Sequence, residues 1–164
     1  MNGIKDGIVA YEVGEAIRRA KSRYCRFVDT KQWEAFERLA LPDAPFTFRD
    51  VAGEIIQQFA SPREMVAASR PLLAGARSLH RVSNSELTWR DDNTVAAIWA
   101  MTDRIVFPAR DGQGDVSLRG AGHYHELWTR AGDGWRLAEL ELQRTFLELG
   151  PDATATSGAV SLFD

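Results

Sequence analysis

One carboxylate lies on the apolar face of the longest strand-like segment. Residues 94–107 alternate as a β-strand does, with successive side chains on opposite sides. Asp103 therefore shares its face with apolar side chains: Val95, Ala97, Trp99, Met101, Ile105 and Phe107. An unpaired carboxylate among such groups costs several kcal/mol. We predict that Asp103 either pairs with an arginine or stays protonated in a cavity and donates a proton. The available arginines are Arg104, Arg119 and Arg144, and Arg104 points to the opposite face of a regular strand.

The three histidines are the next candidates for chemistry. His80 opens a strand-like run, and its imidazole can take a proton from a carbon beside a carbonyl at neutral pH; the simpler interpretation is a structural histidine. His123 and His125 share one face of a later strand, and with His80 they would offer three zinc ligands. Two alternating histidines are weak evidence for a metal, and we expect none. The opposite face, with Tyr124 and Trp128, would then point outward as an oligomer surface.

The first third of the chain has the period of amphipathic helices. An apolar stripe predicts a helix from about Val9 to Val28 that buries Tyr24. Asp29 and Gln32 can then form a capping box for a second helix, which carries Trp33 and Phe36. Prolines end that helix, and a short strand follows over residues 46–51, from which Phe48 is a candidate to line a ligand cavity. A third helix is predicted from Pro62 to about Leu73, since Ser61 is a good N-cap and Gly75 a good stop.

From Leu79 onward the period changes to two, which predicts adjacent antiparallel strands. The strand-like segments are residues 80–89, 94–107, 120–130 and 135–147, separated by turn-type sequences. Helices followed by such strands predict an α+β fold in which a strongly curved sheet packs on three helices and encloses a cavity. The mouth or interior of that cavity is the expected ligand site, with Trp99 and Met101 lining it on the face of Asp103.

Composition limits the classes of function. The 164 residues suffice for one domain, which we place at 1–149, with a small, polar and loosely ordered tail at 150–164. A net charge of −3 with scattered basic residues argues against a nucleic-acid partner, and no apolar run is long enough to span a membrane. The amino terminus has no pattern of a secretion signal, which predicts a cytoplasmic protein. A single cysteine, Cys25, excludes an internal disulfide.

Four segments resemble the SnoaL-like family, and the resemblance as a whole spans about residues 17–147. They are AKSRYCRFVDTKQWE at residues 20–34, LHRVSN at 79–84, GHYHE at 122–126 and GWRLA at 134–138. That family belongs to the cone-shaped α+β barrel superfamily of nuclear transport factor two. The resemblance is closest to its scytalone dehydratase and bile acid 7α-dehydratase branch. It implies a barrel in which a curved antiparallel or mixed sheet covers the helices.

The resemblance also implies an active site. The tyrosine, aspartate and histidine of the dehydratases fall on Tyr24, Asp29 and His80, and the further aspartate of the bile acid enzymes falls on Asp103. A second histidine of scytalone dehydratase falls on His125, although His123 points the same way. In these roles His80 would be the general base, and Asp29 would fix its tautomer. Tyr24, which is otherwise simply a core aromatic residue, would polarise a carbonyl or protonate a leaving hydroxyl.

The implied activity is a lyase that needs no cofactor and removes water from a cyclic or polycyclic carbonyl compound. The same residues would serve an isomerase or a polyketide cyclase. A non-catalytic alternative is a binding or assembly protein like a ring-hydroxylating dioxygenase small subunit, because one fold hosts many functions. The expected ligand is a small hydrophobic carbonyl compound, and the expected assembly is a homodimer or homotrimer.

Overall fold

The structure is a computed structural model, and it describes residues 8–109 and 114–152. Two helices, two short strands and a third helix come first in the chain, and four long strands follow them. The helices are α1 (Tyr11–Asp29), α2 (Trp33–Glu37) and α3 (Pro62–Leu72). The strands are β1 (Phe46–Arg49), β2 (Ile55–Phe59), β3 (Arg77–Trp89), β4 (Thr94–Phe107), β5 (Val116–Ala131) and β6 (Gly134–Pro151).

All six strands form one sheet in the order β2-β1-β6-β5-β4-β3. Strands β3 to β6 make an antiparallel meander, as the alternation after Leu79 predicts. Strand β1 runs parallel to β6, and β2 returns antiparallel to β1. The alternation did not reveal β2, whose side chains are mostly exposed. The mixed, curved sheet against three helices confirms the expected fold class.

The helix ends follow local chemistry, with one correction. Ser61 caps α3 by accepting a hydrogen bond from the Glu64 amide at 3.2 Å, as expected. Asp29, in contrast, is the last residue of α1 and does not cap α2, whose N-cap position is Gln32 without a side-chain hydrogen bond. The capping-box prediction was therefore wrong. The Asp29 carboxylate instead contacts β3, where the Ser78 hydroxyl, the His80 amide and the His80 ring lie within hydrogen-bond distance.

Strand β4 buries the face that the sequence predicts, but β5 is turned the other way. Tyr124, Glu126 and Trp128 point into the core, and His123 and His125 are exposed on the outer face. The expected outward patch of Tyr124 and Trp128 is therefore wrong. The pairing explains it: Tyr124 is opposite Trp99 in the register, so the two residues share the inner face.

A buried ion pair lies in the centre of the core. Lys21 on α1 binds the carboxylate of Glu126 on β5, and both side chains are fully buried. Glu126 also accepts hydrogen bonds at 2.8 Å from the indole nitrogens of Trp99 and Trp128. The Lys21 ammonium lies over the rings of Tyr24 and Tyr124, 3.8 and 3.5 Å from their centroids. Each charged group thus has partners on several sides, as a charge without water requires.

The last described residues continue the sheet. Gly150 and Pro151 belong to β6, and Asp152 is buried with its carboxylate 2.7 Å from Arg104. Most of the predicted loose tail, residues 153–164, lies outside the described residues. Within the described ranges, no helix combines the length and apolarity that a membrane span needs.

We predict that Lys21→Met destabilises the fold by about 3 to 5 kcal/mol, because it leaves the Glu126 carboxylate buried without a counter-charge. The double variant Lys21→Met/Glu126→Gln should recover most of this loss, since the amide oxygen can still accept from both indoles. Urea unfolding followed by tryptophan fluorescence measures both free energies. A double variant no more stable than the single one would contradict this account.

Candidate active site

His80 and Asp29 are brought together at the place where α1 ends against β3. The Nδ1 atom of His80 is 2.7 Å from Asp29 Oδ1, and the His80 backbone amide donates to Asp29 Oδ2 at 2.9 Å. Ser78, two residues earlier on the same strand face, donates to Asp29 Oδ1 at 2.9 Å. Burial alone would raise the pKa of Asp29, but the hydrogen bonds from His80 and Ser78 lower it overall. An ionised Asp29 requires the proton of a neutral His80 ring on Nδ1, which leaves Nε2 with its lone pair.

The free nitrogen of His80 faces a second charged pair. Nε2 lies 4.0 Å from Asp103 Oδ2. Asp103 is held by Arg144 of β6 through two parallel contacts of 2.7 Å, which is the strong fork-to-fork geometry. Of the three arginines considered for Asp103, the structure thus pairs it with Arg144. Burial alone would lower the pKa of Arg144, but Asp103 raises it overall.

Tyr24 lies one layer deeper. It is buried, its ring packs 5.9 Å from that of Tyr124, and its hydroxyl interacts with that of Tyr124. Burial raises the pKa of Tyr24 well above its usual range, and the charge of Glu126 adds to the effect. The hydroxyl therefore keeps its proton, and it can both donate and accept hydrogen bonds.

An open pocket of about 580 Å³ adjoins the Asp29–His80 contact. Its apolar lining includes Cys25, Val82 and Met101, and Arg26 and Arg81 are also among its lining residues. A mixed lining of this kind suits an organic molecule with one polar end. Met101 thus lies where the sequence places it, in the wall of the pocket.

Tyr24 and Asp103 are not among the residues that line this pocket, and four further candidates are also outside it. His123 and His125 are on the outer face of the sheet, so they cannot join His80 in a zinc site or meet a ligand beside it. The indole nitrogen of Trp99 donates a hydrogen bond to Glu126 in the core. Phe48 packs against Phe59, and their ring centroids are 6.2 Å apart. Within the two described ranges, no group of three ligating side chains could hold a metal ion.

Sequence reasoning did not single out two residues that shape the site. Arg144 was only one of three arginines considered for Asp103, because the alignment of β4 with β6 through β5 decides which one reaches it. Gly120 lies opposite Asp103 in the register of β5. A Cβ atom there would stand 2.2 Å from Arg144 Nη1 and 2.6 Å from Asp103 Oδ1.

Comparison with known proteins agrees with this architecture. The SnoaL-like domain matches residues 10–141. The chain belongs to the SnoaL-like family. The probable cyclase FGR4 of Gibberella zeae is 31% identical over 147 residues, which cover 86% of this chain and 97% of that protein.

Two solved structures show the same fold. A candidate scytalone dehydratase from Novosphingobium aromaticivorans is 14% identical with a TM-score of 0.69, covering 82% of this chain and 85% of that one. The hexachlorocyclohexane dehydrochlorinase LinA-type3 of Novosphingobium barchaimii is 18% identical with a TM-score of 0.67, covering 85% and 90%. At these identities the likeness concerns the fold alone, and it confirms the cone-shaped barrel expected of this SnoaL-like chain.

We predict that Gly120→Ala disrupts the Asp103–Arg144 pair, because the added methyl group occupies the space of the guanidinium. The free energy of unfolding should fall by about 1 to 3 kcal/mol, as for other overpacked sites. Gly150→Ala is the matched control, since nothing lies within 4 Å of a Cβ atom there. Thermal unfolding of both variants tests this, and equal stabilities would contradict it.

A second prediction concerns acid. The folded pKa of Asp29 lies below its ordinary value of 3.8, so its contribution to stability is complete above that value and disappears as the pH falls through the folded pKa. The stability difference between the wild type and Asp29→Asn should therefore narrow on acidification below about pH 4. Urea unfolding at a series of pH values measures it, and a constant difference would show that Asp29 is not stabilised in its ionised form.

Proposed function

We propose that this protein is an acid–base enzyme that uses His80 as a general base on a small hydrophobic carbonyl compound and needs no cofactor. The observation that carries the proposal is the orientation of His80. Its Nδ1 is bound to Asp29, and its free Nε2 lies 4.0 Å from Oδ2 of Asp103, which in turn binds Arg144. A base, its orienting carboxylate and a cation for a developing oxyanion are thus adjacent.

The first candidate reaction is a dehydratase-type elimination. Nε2 of His80 takes the proton on the carbon beside the carbonyl, and the electron pair moves onto the carbonyl oxygen as an enolate. The guanidinium of Arg144, which binds Asp103 beside His80, would stabilise that charge. The enolate then reforms the carbonyl and expels hydroxide from the β carbon, and the hydroxide takes a proton from the His80 imidazolium. The net change is loss of one water molecule from the substrate.

Asp29 has two parts in this scheme. It holds the ring so that Nε2 points inward, and its negative charge stabilises the imidazolium formed when His80 takes the proton. Asp103 has a different part, since its bidentate contact holds Arg144 in one orientation. The apolar lining around Cys25, Val82 and Met101 suits the hydrophobic part of the substrate.

A cyclase is the second candidate, and one observation favours it. The relative that matches over nearly its full length is a probable cyclase. The same base would form the enolate, whose carbon then attacks a second carbonyl within the molecule. A carbon–carbon bond forms, and the resulting alkoxide takes the proton back from His80, so the product has the mass of the substrate. The two candidates differ only in what happens after the first proton transfer.

We predict that His80→Gln lowers kcat/KM at least about 100-fold, because the amide cannot accept a proton at neutral pH. Cyclic β-hydroxy ketones and linear polyketide mimics are suitable substrates, with products followed by mass spectrometry. A product lighter by 18 mass units indicates a dehydratase. A product of unchanged mass but changed chromatographic retention indicates a cyclase or an isomerase, and an unchanged substrate indicates an inert binding protein. His125→Gln, on the outer face, is the matched control and should retain full activity.

Normal turnover by His80→Gln would refute the proposed mechanism. No turnover by the wild type across both substrate classes would favour the alternative of a binding or assembly protein. Tryptophan fluorescence and thermal unfolding of each variant show whether lost activity reflects lost structure.

A further inference from the structure

The turn after α1 holds a lysine in a conformation that favours glycine. Lys31 has a φ of 58°, in the left-handed region. Its amide donates to Val28 O at 3.2 Å, and the amide of Gln32 donates to Phe27 O at 2.8 Å. These two bonds form a Schellman motif, in which the left-handed position is usually glycine because a Cβ atom is unfavourable there. A lysine at this position therefore has an unfavourable backbone conformation, which contacts of its side chain can offset.

The Lys31 side chain turns back onto the Asp29–His80 contact. Its Nζ atom lies 3.2 Å from the backbone oxygen of Asp29 and 3.2 Å from Ser78 Oγ. Ser78 Oγ in turn lies 2.9 Å from Asp29 Oδ1, the oxygen that also binds His80 Nδ1. Four residues thus form one continuous chain from Lys31 to His80.

The direction of the hydrogen bonds in this chain is determined by chemistry. An ammonium group has only donors, so Lys31 must donate to Ser78 Oγ. The hydroxyl proton of Ser78 is then directed at Asp29 Oδ1, which has only lone pairs when ionised. Asp29 Oδ1 thus accepts from both Ser78 and the ring of His80. The carboxylate cannot rotate away without losing both contacts.

We propose that Lys31 and Ser78 are positioning residues that orient Asp29 and set the pH at which His80 becomes an active base. This inference rests on the proposed function of His80. The negative charge of Asp29 favours the imidazolium, whereas the positive charge of Lys31 opposes it through Asp29 and through space.

The other charged and titratable groups around His80 are accounted for. They are Cys25, Arg26 and Asp29 from α1, Asp103 from β4, Arg144 from β6, and Arg81 from the neighbouring position of β3. Asp103 and Arg144 neutralise each other in a bidentate pair. Lys31 is joined to the Asp29 carboxylate through the Ser78 hydroxyl, and it also donates to the backbone oxygen of Asp29.

The test follows the ring protons of His80 by NMR during a pH titration, with no substrate. Lys31→Met and Ser78→Ala should each raise the midpoint of the His80 titration by roughly half a pH unit, because the first removes a nearby positive charge and the second removes a hydrogen-bond donor to Asp29 Oδ1. Asp29→Asn should lower the midpoint. Arg19→Gln, an exposed site on the far side of α1, is the control and should leave the midpoint within about 0.1 unit.

A further variant separates charge from backbone strain. Lys31→Gly removes both, so it should raise the His80 midpoint as Lys31→Met does and, unlike it, also raise the melting temperature. If Lys31 had only a structural role, its variants would change the melting temperature without changing the midpoint of the His80 titration. Lys31→Arg should restore the wild-type midpoint, because the guanidinium can donate to the same hydroxyl.

The outcomes distinguish this inference from the proposed function. If Asp29→Asn lowers the midpoint and the Lys31 and Ser78 variants leave it unchanged or lower it, the Asp29–His80 pair stands and the role of Lys31 and Ser78 is refuted. If Asp29→Asn also leaves the midpoint unchanged, the pair is uncoupled and both proposals fail. A rise in both Lys31→Met and Ser78→Ala supports the inference.

Discussion

The ion pair between Lys21 and Glu126 is the interaction on which the rest of the structure depends. It joins the middle of α1 to the middle of the sheet where no water can reach. A buried pair is favourable only when every remaining donor and acceptor is satisfied. Here the indoles of two tryptophans donate hydrogen bonds to the Glu126 carboxylate, and two tyrosine rings lie against the Lys21 ammonium. This requirement fixes the depth and rotation of α1, and with them the positions of Tyr24 and Asp29 on the same helix.

Helix α1 has a second polar attachment to the sheet at its C-terminal end, and this attachment is accessible from the pocket. Asp29 binds β3 through one side chain, one backbone amide and the ring of His80. The two attachments differ in their surroundings, since Lys21 and Glu126 are fully buried whereas Asp29 and His80 border an open pocket. The interior pair is suited to stability, and the rim pair can exchange protons with a ligand. This division explains why a chain with several buried charges concentrates its candidate chemistry at one edge of the sheet.

Several elements were predictable because short-range patterns determine them. The stripe of α1, the Ser61 cap of α3 and the alternation of β4 each depend on neighbours within a few residues. Strand β3 shows where such patterns fail. A bulge between Ser83 and Glu86, with Asn84 at a φ of 49°, shifts the alternation, so that Leu87 and Trp89 point inward in place of Glu86 and Thr88. An inserted residue of this kind leaves little trace in a pattern of period two.

By itself, the sequence determined the α+β class, the order of most elements, the inward direction of Asp103 and the family to which the chain belongs. Only the tertiary structure decided that Asp29 binds β3 and does not cap α2, that β5 turns Glu126 inward and His125 outward, and that Arg144 is the partner of Asp103. The physical reason is common to all three. A residue's local pattern sets which side of its element it lies on, but its partner depends on strand register and helix position, which the whole core determines together.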